Sequence, residues 1–162
     1  MSIGQTSYDL KMQAAIAGMI ADNGDHHCET AIVEESDGIG FGLGVAVGAV
    51  TDGYNSLGKG AKIPESSSED TFLGVTVFKH KENSYPYVDG GNKLAQNEAA
   101  SIMRKGRIWV QTDGVVAVDA PVYVTTAGKF TTTSSSNLAV PTGVLRRIES
   151  DLGLAVLEIN MP

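Results

Sequence analysis

Apolar residues recur along this chain in short runs, cut by glycine, proline and small polar residues, and most runs follow a period of two. The densest stretch spans residues 104–131, RKGRIWVQTDGVVAVDAPVYVTTAGKFT. Ile108 and Val110 alternate with Trp109 and Gln111, the signature of a half-buried strand. Asp113-Gly114 supplies a turn, because Gly tolerates φ > 0 without a Cβ penalty. The apolar run resumes over residues 115–118 and breaks at Asp119-Ala120-Pro121, since Pro has no N–H for a central ladder. Residues 122–126 are β-branched and aromatic, a composition suited to a pleated surface. Ala127-Gly128 then turns the chain into Lys129-Phe130-Thr131. The pattern predicts a meander of short strands and contains no nucleophile, metal ligand set or phosphate cradle.

The flanks continue the theme. Residues 29–35, ETAIVEE, and 72–80, FLGVTVFKH, predict strands. Residues 39–50, IGFGLGVAVGAV, predict another, with Gly40, Gly42 and Gly44 alternating with Phe41, Leu43 and Val45. Its bare glycine face admits a close backbone or a bend at a barrel corner. It is not a dinucleotide loop. Starting G-x-G-x-x-G at Gly38, Gly40 or Gly42 puts Leu43, Val45 or Val47 at the last glycine position. Residues 93–103 mix helix-favouring Ala and Glu with a β pattern that takes over from Ala99. Residues 142–150 and 153–159 predict a closing hairpin across Ser150-Asp151. Polar loops fall at 51–60, 64–70, 83–92 and 131–137. Val45-Ala46-Val47 recurs as Val116-Ala117-Val118, an echo that leaves a duplicated β module open.

Residues 1–28 differ from the rest. Tyr8, Leu10, Met12, Ile16, Met19 and Ile20 are apolar among small residues. Residues 14–17 fit a helical turn, stopped by Gly18 and then by Asp22-Asn23-Gly24-Asp25. The segment is too apolar for a solvated tail and too short for a domain. It reads as an arm that docks, either on its own domain or on a neighbour. The expected organisation is an arm over 1–28 and a single domain over 29–162, all-β and mainly antiparallel, as a compact barrel or sandwich.

Charge narrows the partners. The chain has 162 residues and a net charge of −7. A protein that tracks a nucleic-acid backbone needs a positive surface, so direct nucleic-acid binding and attachment to anionic membrane are not expected. The start lacks the basic and apolar regions of a secretory leader, and no apolar run has the roughly 20 residues of a spanning helix. Synthesis in the cytoplasm is expected. Cys28 is the single cysteine, so no internal disulfide forms.

Candidate chemistry is sparse. His26-His27-Cys28 groups metal-type side chains, but adjacent residues on an extended segment point apart, unlike spaced zinc ligands. Asp22-Asn23-Gly24-Asp25 lacks the order and the closing Glu of a calcium loop. The carboxylates Glu34, Glu35, Glu65, Glu69 and Asp70 show no spacing that selects a catalytic pair. No G-x-S-x-G or Cys/His arrangement marks a nucleophile. Neither catalytic residues nor a cofactor or metal are expected. A sugar-binding alternative would use Trp109, Tyr85 and Tyr87 as a stacking platform.

The order of these signatures resembles one family, the structural cement or head-decoration proteins of tailed bacteriophages. The resemblance begins in residues 15–22, AIAGMIAD, and runs through 41–47, FGLGVAV, and 72–77, FLGVTV. It is most specific in 106–110, GRIWV, followed by 120–124, APVYV, then 128–131, GKFT, 141–143, PTG, and 153–159, GLAVLEI. It implies a β-barrel or sandwich that self-associates, as a homotrimer ahead of a homodimer. It implies binding to the major capsid protein on the outer surface of the virion head, at junctions between subunits. The arm residues Tyr8, Leu10, Met12, Ile16, Met19 and Ile20 are the expected contacts. A tail or baseplate module is the alternative within phage structural proteins.

Overall fold

In a computed structural model of the chain, the structure describes residues 15–49, 59–65, 67, 69–79 and 93–162. Its strands in chain order are β1 (His27–Val33), β2 (Ile39–Gly40), β3 (Gly44–Gly48), β4 (Gly60–Lys62), β5 (Phe72–Thr76) and β6 (Lys93–Leu94). They continue as β7 (Ala99–Gln111), β8 (Pro121–Val124), β9 (Phe130–Thr131), β10 (Leu138–Glu149) and β11 (Leu154–Asn160). No α-helix forms among the described residues.

The long β7 organises the rest. Its first half pairs antiparallel with β1, placing Ala31 opposite Ala100, and with β5, placing Val75 opposite Met103. Its second half pairs with β11, placing Val156 opposite Trp109. Gly106 lies between the halves with φ of +126°, and a Cβ there would sit 2.8 Å from the Cβ of His26. The order β1-β4-β3-β5-β7, closed by the β1–β7 pairing, makes a five-stranded barrel. The sheet then runs on through β11, β10, β8 and β9. A parallel bridge from Thr112 to Phe130, with the Asp113 N–H donating to the Phe130 carbonyl at 2.8 Å, returns that far edge to the end of β7. Closure removes the unpaired edge that an open sheet would present.

Two cores follow from the two closures. Val33, Ile39, Val45, Leu73, Leu94 and Ile102 fill the five-stranded barrel. Ile108, Val110, Val124, Phe130, Leu145 and Leu157 fill the second half, with Phe72 meeting Phe130 edge-on at 6.5 Å. Each fully buried side chain of this size contributes about 1.5–3 kcal/mol.

Several expectations hold. A long strand does begin at Ala99, after the two-residue β6, the closing hairpin turns through a 3-10 segment at Ser150–Leu152, and Gly128 turns the chain with φ of +76°. Two do not. Residues 39–50 are not one strand, because Gly42 takes φ of +66° and splits β2 from β3. Residues 115–118 form no strand. They belong to a loop that leaves the end of β7 and rejoins the sheet at β8, where Pro121 faces Val144 of β10. Val116 alone packs on the core, while Val115 is 97% exposed. The echoed triplets therefore differ: Val45-Ala46-Val47 is strand, Val116-Ala117-Val118 is loop. Pro141 sits in β10 at a register break between Ala139 and Val144, where a missing N–H costs no ladder bond.

Candidate interaction surface

The expected arm meets its own domain over residues 15–21. The Gly18 N–H donates to the Trp109 carbonyl at 2.7 Å, the Trp109 N–H to Met19 at 2.9 Å, and the Ala21 N–H to Arg107 at 2.9 Å. Ile20 forms an antiparallel bridge with Ile108. On the other side the Phe78 N–H donates to the Gly18 carbonyl at 2.8 Å. The segment is thus wedged between β7 and the chain just after β5. The expected helical turn is a tight turn instead: the Met19 N–H donates to Ile16 at 3.0 Å, and Gly18 has φ of +83°. Only a residue tolerant of positive φ suits that third turn position. Two glycines give the close approach that the bare face of residues 39–50 suggested. A Cβ on Gly42 would lie 2.6 Å from the Gly18 nitrogen, and one on Gly18 would lie 2.8 Å from the Phe78 nitrogen.

The turn and the bridge together sort the apolar residues of this segment. Ile20 shares the inner face with Ile108 and packs, half-buried, on the second core. Ile16 and Met19 face outward, at 46% and 37% exposure. Ala15 is buried with Trp109, Leu154 and Val156 in a third apolar cluster, on the outer face of the sheet. The Arg147 guanidinium lies 5.6 Å over the Trp109 ring and also pairs with Glu149. Trp109 is buried, so it offers no open face for stacking a sugar. Tyr85, Tyr87 and His80, with the arm residues Tyr8, Leu10 and Met12, lie outside the described residues.

Alternating charges cross the same face. Asp119 pairs with Arg146 at 2.8 Å, Arg146 with Glu158 at 3.2 Å, Glu158 with Arg107 at 2.8 Å, and Arg107 with Asp22 at 3.3 Å. Lys105 and Asp25 add a pair at 2.5 Å. The row ties residues 22–25 to β7 and the 113–120 loop to β10. Hydrogen bonds from Arg146 and then Arg107 hold the Glu158 carboxyl below its ordinary value, and Glu158 in turn raises Arg146. Lys105 lowers Asp25. On β1, Glu29 joins Lys59 at 2.7 Å and Arg104 at 3.0 Å, with Lys59 the larger cause of its lowered value. A cavity of about 290 Å³ lies between Asp22, Asp25, Lys105, Arg107 and Glu158. Its charged groups already satisfy one another, so it reads as a gap in the salt-bridge row.

The predicted chemistry stays dispersed. His26 and His27 are exposed, while Cys28 is half-buried, with burial pushing its thiol up. Among the described residues no three His, Cys, Asp or Glu side chains converge as a metal site. Asp22-Asn23-Gly24-Asp25 forms a turn in which the Gly24 N–H donates to Asp22 at 3.1 Å. Sequence reasoning pairs the basic residues Arg104, Lys105, Arg107, Arg146 and Arg147 with acidic neighbours, as found, but missed their order in one row and the exposed 113–120 loop. Oppositely charged residues at cross-strand positions such as Arg107 and Glu158 were the available signal, once the β7–β11 register is known.

The described residues thus combine a closed β scaffold, a row of paired charges and outward apolar side chains on a pinned segment. The chain is a member of the structural cement protein family (E217 gp24/Pam3 gp6), whose profile matches residues 4–160. Its role is accordingly structural and capsid-associated. Four solved chains match it. One, from the structure titled "The capsid of Myoviridae Phage XM1", superposes with a TM-score of 0.72 at 18% identity, covering 99% of this chain and 98% of that one. At that identity the likeness is one of fold. No curated protein sequence matches.

Proposed function

We propose that the protein binds the outer surface of a phage head at junctions between major capsid protein subunits and clamps them against the pressure of packaged DNA. The observation that carries this reading is the family match across residues 4–160. In this reading it acts as a homo-oligomer, a trimer ahead of a dimer, after synthesis in the host cytoplasm. The amino-proximal segment makes contacts to the capsid or a sister subunit. Tyr8, Leu10, Met12, Ile16 and Met19 supply the apolar contacts, and Ile20 holds the segment down from beneath. Two features support this assignment. Ile16 and Met19 are exposed, yet the Met19 carbonyl accepts from Trp109 of β7 and the Ile16 carbonyl from Met19 across the turn, so a partner gains apolar burial with little ordering cost. An acidic chain also avoids packaged or stray nucleic acid.

The test is co-sedimentation with heads assembled without this chain. Ile16→Asp with Met19→Asp should abolish saturable binding while leaving the far-ultraviolet spectrum and unfolding midpoint unchanged. Undiminished binding by that variant would overturn the assignment of the segment.

A further inference from the structure

We infer that the end of the molecule formed by the 113–120 loop and the Ser150–Leu152 turn is a second docking surface, taking a protein with an apolar recess bordered by lysine or arginine. The two segments are neighbours, since the Thr112 N–H donates to the Gly153 carbonyl at 2.9 Å. Val115 is 97% exposed, Val118 46% and Leu152 37%. Val115 and Leu152 thus stand in water on two segments joined by that bond, while Val118 lies further along the loop, where Asp119 bonds Leu145 of β10.

The loop presents them from a fixed backbone. Asp113 N–H donates to the Phe130 carbonyl at 2.8 Å, Val116 packs on the core, and the Asp119 N–H donates to the Leu145 carbonyl at 3.1 Å. Asp119 adopts φ of +59°, a conformation that Asp tolerates better than most residues, and its carboxylate is held by Arg146. A loop anchored at both ends and in its middle loses little entropy when covered.

Charge selects the partner. Asp113 and Asp151 are exposed beside the apolar tips, on a chain of net charge −7, while Asp119 is already paired with Arg146. A second copy would bring carboxylates against carboxylates, and nucleic acid or anionic lipid would be repelled. A protein recess with a basic rim fits both features, because complementary charge steers encounter and the apolar centre holds the complex. The inference adds a surface remote in sequence from residues 1–28. It rests on the proposed function only in taking the head as the partner to test.

The experiment measures binding to heads assembled without this chain, at several salt concentrations, beside the mass of the free protein by light scattering. Val115→Asp with Leu152→Asp alters exposed positions only. It should weaken head binding about tenfold or more, as expected for lost apolar contacts, with mass and unfolding midpoint unchanged. Asp113→Lys with Asp151→Lys should also weaken binding and remove its decline with salt. Wild-type affinity in the first variant overturns the inference and leaves the proposed function standing. Tighter binding by the second overturns the basic-rim assignment. A change in the free protein's mass, with head binding intact, makes this end a self-contact and overturns it as well. If the unaltered chain fails to bind heads, the proposed function falls, and the head falls with it as occupant of this end.

Discussion

Gly42→Ala tests the wedge that fixes the amino-proximal segment. Gly42 has φ of +66°, and Gly114 provides an internal control with φ of +68°. A Cβ on Gly114 meets nothing within 4 Å, so Gly114→Ala reports the left-handed strain alone, about 1–2 kcal/mol. A Cβ on Gly42 meets the Gly18 nitrogen at 2.6 Å and the Trp109 oxygen at 2.9 Å, the donor and acceptor of the 2.7 Å bond between the segment and β7. Both atoms are backbone and neither can swing aside. Parting a buried donor and acceptor costs about 1–3 kcal/mol on top of the strain. Gly42→Ala should therefore be destabilised by about 2 kcal/mol more than Gly114→Ala. In a chain of this length that is a further drop of about 4–8 °C in Tm. Paired urea and thermal unfolding give the difference. Faster hydrogen exchange at the Gly18 and Trp109 amides should accompany it in Gly42→Ala only. If the two variants unfold together within about 0.5 kcal/mol, the segment is not wedged as described and the contact geometry is wrong.

Three further outcomes are expected. Thr76→Val should cost about 1–3 kcal/mol in urea unfolding, because the buried Thr76 hydroxyl accepts from the Leu43 N–H at 3.0 Å and donates to the Gly40 carbonyl at 2.9 Å. Trp109→Ala should cost about 3–5 kcal/mol by leaving a cavity under Ala15, Leu154 and Val156, and should loosen residues 15–21 as read by proteolysis. Acid should weaken the fold through Glu29 and Glu158, whose values are depressed below 4.5. For depressed carboxyls, the stabilisation is present above the unfolded value and is lost as pH falls through the folded one. Glu158→Gln should thus be less stable than the native chain at pH 7, with the gap closing below about pH 4.5 in urea titrations run at stepped pH. A constant gap across that range would remove Glu158 from the account.

Much of this fold was legible because period-two patterning is local. Residues 108–111, 122–124 and 154–159 carry strand composition and are strands. Where the pattern failed, long-range geometry decided. A glycine inside an alternating strand and a glycine at a turn look alike in sequence, so the break at Gly42 was hidden. Only the approach of Gly18 and Trp109 requires it. Residues 115–118 have the β-branched content of a strand, yet the chain there has to leave β7 and reach β8, where Pro121 pairs with Val144 of β10, so Val116 alone packs on the core. Ile16, Met19 and Ile20 are equivalent by composition, and the Ile20–Ile108 bridge turned Ile20 inward while the turn over residues 16–19 left Ile16 and Met19 outward. Barrel closure through β1 and β7 joins residues about seventy apart in sequence, which no local pattern carries. The family resemblance was readable because it depends on the order of motifs, which survives where each motif is weak.

The most direct test of the account is the resistance of DNA-filled heads to heat, measured as the temperature of DNA release with and without added protein. Heads assembled without this chain should release DNA at a lower temperature, and adding the chain should restore the higher one at a saturating, fixed stoichiometry. Saturable binding with no change in release temperature, or no binding at all, would contradict a clamping role.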